Sequence, residues 1–303
     1  MSDDHGHARE SARARLAVAL GITGAVLIAE LIGSALTGSL ALLVDAAHMA
    51  TDAAGLAIAL TAASLVGRPA TSRRTFGFAR VEVLGATAQA ALLLAVGIFV
   101  LVEAVQRLFN PPEIAGGPLI VFGVIGLLGN VASIAVLAGG RGANLNMRAA
   151  FLEVLGDALG SLAVIAAAIV ITLTGFQLAD ALAAILISAL ILPRAVLLLR
   201  DTTNVLLEST PKGLDLVDVR EHLLRVPHVQ GVHDLHVSQI ATGLPVLTAH
   251  VVVDDECFYD GHAPKMLDQL QACVADHFNI QIEHSTFQLE LASHVSHEHT
   301  THD

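Results

Sequence analysis

Six long apolar stretches, broken only by scattered polar residues, occupy the first two thirds of the chain: 15–37, 40–66, 81–108, 117–139, 149–174 and 178–199. Each is long enough for a helix to cross a bilayer, which takes roughly 20 residues. After Thr210, Pro211 and Gly213 the pattern shortens. DLVDVREHLLRV has helical spacing, VHDLHVSQI and LTAHVVVD alternate as strands, a helix is predicted from Pro264 to His277, and IQIEHSTFQLE reads as a last strand. The order αββαβ predicts a small α+β domain, an antiparallel sheet with helices on one face.

The first apolar stretch is too long for the core of a signal peptide, carries Glu30, lacks a convincing cleavage site and is followed by five comparable stretches. It is expected to remain in the mature protein. Lysine and arginine are retained on the cytoplasmic side of short loops. Arg9, Arg13 and Arg15 precede the first stretch, Arg68, Arg73, Arg74 and Arg80 fall between the second and third, Arg141 and Arg148 between the fourth and fifth, and Arg194, Arg200 and Lys212 lie at or after the sixth. The alternate loops hold only Arg107. Both termini are therefore predicted to be cytoplasmic. The expected organisation is a cytosolic His-containing tail (1–14), a six-helix transmembrane domain (15–208), a cytosolic domain (209–291) and a His-rich tail (292–303). The sequences MSDDHGHARE and HVSHEHTTHD read as disordered tails with metal-binding composition.

Composition agrees with a membrane protein: 54% of the 303 residues are hydrophobic and only 15% are charged. Two cysteines, Cys257 and Cys273, are too few for a disulfide framework. The net charge is −12, and from Ser209 onward 14 acidic residues face 4 basic ones, so nucleic acid is an unsuitable partner. Twelve of the 15 histidines also lie after Ser209, and just one, His48, lies in the apolar region.

An ionisable side chain at membrane depth is costly, and marks function by default. The second stretch holds Asp45, His48 and Asp52 in LVDAAHMATDAAG, and the fifth holds Glu153 and Asp157 in FLEVLGDALGS. His48 and Asp52, like Glu153 and Asp157, are four positions apart, which stacks each pair on one helical face. Alone, any of these would be read as an interhelical hydrogen-bonding group. Together they offer four ligands of the type that holds a tetrahedral divalent ion such as zinc. Three buried carboxylates need either protons or a cation, so the same groups are suited to trading one for the other. Gly156 and Gly160, flanking Asp157, and Gly55 after Asp52 have the small-residue character that lets membrane helices approach. Asp45 is read as a helix–helix hydrogen-bonding group, and Glu30, Glu82, Glu103, Asn130 and Asp180 as interhelical or interfacial polar residues. In the C-terminal part His233, His236, His250, His262, His277 and His284, with Cys257, Asp254, Asp255 and Glu256, supply many potential ligands without a spacing that specifies one site.

The segments GSLALLVDAAHMATDAAG, RPATSRRTFGFARVEVLGA, RLFNPPEI, NLNMRAAFLEVLGDALGS, LLRDTTNVLLESTP, VHDLHVSQI and IEHSTFQLE together resemble the cation diffusion facilitator family of metal/proton antiporters, from about Arg15 to Glu290. The resemblance implies a homodimer in the cell (inner) membrane, six spans per subunit, and a cytosolic ferredoxin-like domain. It also implies export of zinc or a related divalent ion against protons. The transport site would fall on His48, Asp52, Glu153 and Asp157, and a cytosolic site on His233, His250, His262 and His284. Two departures matter: Glu153 stands where many zinc-selective members have His, which opens the choice to cadmium, cobalt, manganese or iron, and Thr286 stands where some relatives have an Asp ligand. The loop RPATSRRTFGF lacks His and Asp, so no further site is expected there. The cytosolic domain would tighten the dimer when metal binds. The competing readings are a membrane-anchored metal sensor or scaffold without transport, and an intramembrane metalloenzyme, for which no nucleophile or general base stands beside the quartet.

Overall fold

The structure is a computed structural model. It describes the backbone of residues 3–66, 70–138, 145–241 and 243–294, and the side chains of 18–51, 53–54, 70–138, 154–241 and 243–294. The chain divides into two compact units, Met1–Leu60 with Ala86–Leu199, and Thr61–Gly85 with Arg200–Asp303.

The first unit contains most of six helices: α1 (Asp3–Thr37), α2 (Leu40–Val66), α3 (Arg80–Arg107), α4 (Gly116–Ala138), α5 (Leu145–Thr174) and α6 (Leu178–Leu206). Among the described residues, five helical stretches are long and apolar enough to cross a membrane, and the described apolar part of α2, Leu40–Thr51, is shorter. Large apolar side chains such as Leu36, Phe99, Leu128, Leu173 and Leu190 are exposed, while the interior is built from Leu42, Val100, Leu119, Val164 and Ala168 with small neighbours. That inversion is what a lipid solvent permits. One expectation is corrected: the N-terminal segment does not form an irregular tail, since α1 already begins at Asp3. The Ala-, Arg- and Glu-rich run ARESARAR favours helix at every position except the serine and extends the helix beyond the apolar span.

The entry of α2 is held by a side chain from another helix. Ser39 caps α2 by accepting from Leu42 N–H at 3.2 Å, and donates its hydroxyl to Asp180 of α6. The same Asp180 carboxylate accepts from Leu40 N–H at 2.8 Å and from Ala41 N–H at 3.4 Å. The orphan donors of a helix start are thus satisfied across 140 residues of sequence.

In the second unit, α7 (Leu216–Leu224) is followed by β1 (Val229–Ala241), β2 (Leu244–Val253), a short 3-10 turn (Asp255–Phe258), α8 (Ala263–Asp276) and β3 (His284–Glu290). Asp215 caps α7 by accepting from Val217 N–H at 2.9 Å. Val219 and Leu223 of α7, Leu247 and Val251 of β2, and Leu270 and Val274 of α8 share one buried core. The predicted αββαβ order holds, but the sheet is not wholly antiparallel. Its order is β1-β2-β3, with β1 antiparallel to β2 and β2 parallel to β3. A hairpin reverses the chain between β1 and β2, whereas the α8 crossover returns it in the same direction.

Candidate metal centres

His48 and Asp157 come together inside the first unit. His48 Nε2 lies 3.5 Å from Asp157 Oδ1, with the residues 8% and 3% exposed. They belong to α2 and α5, elements 109 positions apart in the chain by residue number that the sequence pairs only by inference. The side chains of Asp52 and Glu153 lie outside the described residues; their backbones continue α2 four positions after His48 and α5 four positions before Asp157.

Close approach of α2 and α5 is allowed at Gly160, where any Cβ would overlap the Asp45 carboxylate. Gly156 does not share that role, because among the described residues a Cβ there meets nothing within 4 Å. Gly55 lies outside the residues whose side-chain surroundings are described. Asp45 makes the helix–helix hydrogen bond expected of it, accepting from Ser161 Oγ of α5 at 3.4 Å. Asn130 of α4 in turn donates from Nδ2 to Ser161 Oγ at 3.2 Å, so one polar chain links α4, α5 and α2.

In the second unit a cluster forms on the sheet. His233 of β1 and His250 of β2 are cross-strand partners, with ring centroids 5.2 Å apart. Glu290, at the end of β3, is 4% exposed and places Oε1 2.5 Å from His233 Nε2 and 3.7 Å from His250 Nδ1. One ligand atom from each of these three residues lies within 4.8 Å of the others. His294 Nε2 stands 3.8 Å from Glu290 Oε2. A bulge in β1 between His233 and His236, with Asp234 at a φ of 49°, lets Asp234 reach His236 Nε2 at 3.0 Å and His250 Nε2 at 3.8 Å. Two imidazoles and a buried carboxylate match the donor set of a zinc-like ion with a further position to fill.

The other two histidines considered for a cytosolic site sit elsewhere in this chain. His284 begins β3, four residues before the Gln288 that pairs with His250, and packs edge-on to Phe76 at 5.5 Å. His262 pairs with Asp260 at 2.6 Å and lies 5.5 Å from the ring of His228, which pairs with Asp254 at 2.9 Å. Gln230 and His228, donating to its carboxylate, hold Asp254 below the usual carboxylate range; the His262 backbone N–H and ring do the same for Asp260. Nothing in the sequence marks Glu290 as a ligand. It belongs to an apparently ordinary strand, and only the β2–β3 register, which pairs it with Val252, carries it to the two histidines.

A family model described as the cation efflux transmembrane domain matches residues 16–207, and one described as the cation efflux protein cytoplasmic domain matches 211–292. The chain is 43% identical over 293 residues to the metal cation efflux system protein CzcD of Cupriavidus metallidurans, covering 96% of this chain and 91% of that protein. It is 40% identical over 297 residues to the zinc transporter ZitB of Escherichia coli, covering 96% and 93%. It is also 35% identical over 302 residues to a protein of Bacillus velezensis named cadmium, cobalt and zinc/H(+)-K(+) antiporter, covering 99% and 95%.

Proposed function

The chain belongs to the cation efflux family as a multi-pass membrane transporter of divalent cations, and from that premise we propose that it expels zinc from the cytosol in exchange for protons. His48, Asp52, Glu153 and Asp157 hold the ion between α2 and α5. The observation that carries this reading is the buried approach of His48 Nε2 to Asp157 Oδ1 across two helices. An imidazole and a carboxylate in that setting bind a divalent ion well, and both change protonation when it leaves. Because three of the four ligands are carboxylates, the site is harder than a two-histidine site, which favours manganese or iron beside zinc and leaves cadmium and cobalt as further candidates.

Both termini are cytoplasmic in this reading, supported by the distribution of Lys and Arg. The domain limits 15–208 and 209–291 are supported by the spans of the two family matches. Two subunits associate through the cytosolic domain, where His233, His250 and Glu290 bind cytosolic metal and bias the protein toward the conformation that prefers it. A purely anchoring membrane part would have no use for the buried His48–Asp157 pair.

The test is metal uptake into proteoliposomes under an imposed pH gradient, with internal pH recorded. Asp52→Ala and Asp157→Ala abolish flux; wild-type flux in either removes the proposed site. Glu153→His shifts preference toward zinc within a metal panel, and an unaltered profile refutes its part in selectivity.

A further inference from the structure

A second polar centre lies beside the His48–Asp157 pair and plays no part in the four-ligand site. Glu30 of α1 is 0% exposed, and neither of its carboxylate oxygens has a hydrogen-bond partner among the described residues. It lies against Gly126 of α4, where a Cβ would stand 2.5 Å from Glu30 Oε1 and 3.0 Å from Ser161 Oγ, so both oxygens converge on the bare Gly126 backbone. Asn130, one helical turn after Gly126, is 1% exposed and directs Nδ2 to Ser161, which leaves Oδ1 without a donor. Ser161 donates its own hydroxyl hydrogen bond to Asp45 Oδ2.

The bonding pattern is therefore lopsided. Asp45 receives a hydrogen bond, while Glu30 Oε1, Glu30 Oε2 and Asn130 Oδ1 are three buried acceptors for which no described group supplies a proton or a charge. Buried acceptors require donors, and a buried carboxylate requires a positive charge or a proton. Among the described residues the titratable groups acting on Glu30 are Asp45 on α2 and Asp157 on α5, the latter beside His48; α4 has no charged residue. Glu30, Asn130, Ser161 and Asp45 each offer oxygen ligands, which suit a hard cation. Glu30 and Asp45 are two buried carboxylates, and the Ser161 hydroxyl brings Asp45 no charge; with one proton held between them, one positive charge remains to be supplied.

We propose that Glu30, Asn130, Ser161 and Asp45 form a separate oxygen-lined site for a single monovalent counter-cation, a proton or an alkali ion, which occupies it as the divalent ion leaves. The inference rests on the transport reading above. Asp45 precedes His48 by three residues on α2 and Ser161 follows Asp157 by four on α5, so the site lies about one helical turn from the metal ligands. With cytoplasmic termini that turn is on the outer side, where the counter-cation enters.

The experiment compares the full-length protein with Glu30→Gln and Asn130→Leu, each first shown by size exclusion to be folded. Zinc flux into proteoliposomes is measured with one gradient at a time, protons or potassium, choline replacing the latter, and zinc binding to purified protein by calorimetry. In the wild type one gradient accelerates zinc movement and identifies the occupant. Glu30→Gln loses that acceleration about tenfold while zinc affinity stays within about threefold of wild type. Asn130→Leu keeps the charge, and raises the half-saturating concentration of the same cation. Wild-type gradient dependence in both folded variants overturns the site, and so does a loss of zinc affinity in Glu30→Gln that matches its loss of flux. A wild type whose zinc flux ignores both gradients instead refutes the antiport reading, and this site with it.

Discussion

Replacing Asp180 by alanine tests whether the start of α2, and through it the position of His48, depends on a carboxylate supplied by α6. In the folded protein that carboxylate takes the Ser39 hydroxyl, Leu40 N–H at 2.8 Å and Ala41 N–H at 3.4 Å, all in a buried place. The Ala41 contact is long and contributes least. A hydrogen bond to a charged group contributes about 1.5–3 kcal/mol, and the donors left behind would be stranded away from water. Two such bonds give a loss of about 3–6 kcal/mol, partly recovered if the first turn of α2 frays. At the sensitivity typical of domains of this size, that lowers the melting temperature by on the order of 10 °C. Thermal unfolding in detergent, followed by loss of monodisperse protein, measures it. Asp180→Asn retains one acceptor oxygen and should fall between alanine and wild type. Zinc flux should fall in the same order, because the frayed turn lies two turns before His48. If Asp180→Ala melts within about 2 °C of wild type, the argument that this carboxylate secures α2 is wrong.

Gly160→Ala places a methyl on the Asp45 carboxylate and should cost about 1–3 kcal/mol and most of the flux, whereas Gly156→Ala meets none of the described residues and should be neutral by melting and transport. Equal effects at the two glycines would remove the close-approach argument. Glu290→Gln should reduce by one the number of zinc ions bound per subunit, counted by equilibrium dialysis with Asp157→Ala in the background; an unchanged count places the cytosolic ion elsewhere. Asp254, held low by Gln230 and His228, stabilises the fold above the ordinary carboxylate range, and this contribution disappears as pH falls through its lower folded value. Asp254→Asn should therefore lower stability near neutral pH, and the difference should close in acid; a difference that grows in acid reverses the sign of the argument.

Much of the architecture was legible in the order of residues. Apolar run lengths located the six helices because a bilayer imposes a minimum span, and they missed mainly at α1, where helix-forming residues continue the helix N-terminal to the apolar run. The i, i+4 spacing of His48 with Asp52 and of Glu153 with Asp157 marked the candidate metal ligands, since helical periodicity alone puts each pair on one face. The shortfalls share a cause. Glu30 looked like one more interhelical polar residue, Gly156 looked equivalent to Gly160, and Glu290 looked like the end of a strand.

What the sequence determined by itself is local: which segments are apolar enough for lipid, which side chains share a helical face, and where strands alternate. Tertiary structure decided everything that depends on one element meeting another. Gly160 and Gly156 differ because only one of them lies against Asp45. Glu290 joins His233 and His250 because α8 makes β3 parallel to β2 in a register that brings it there. Residue type and spacing set what a side chain can bind or donate, but whether its neighbours answer it is a property of packing between distant parts of the chain.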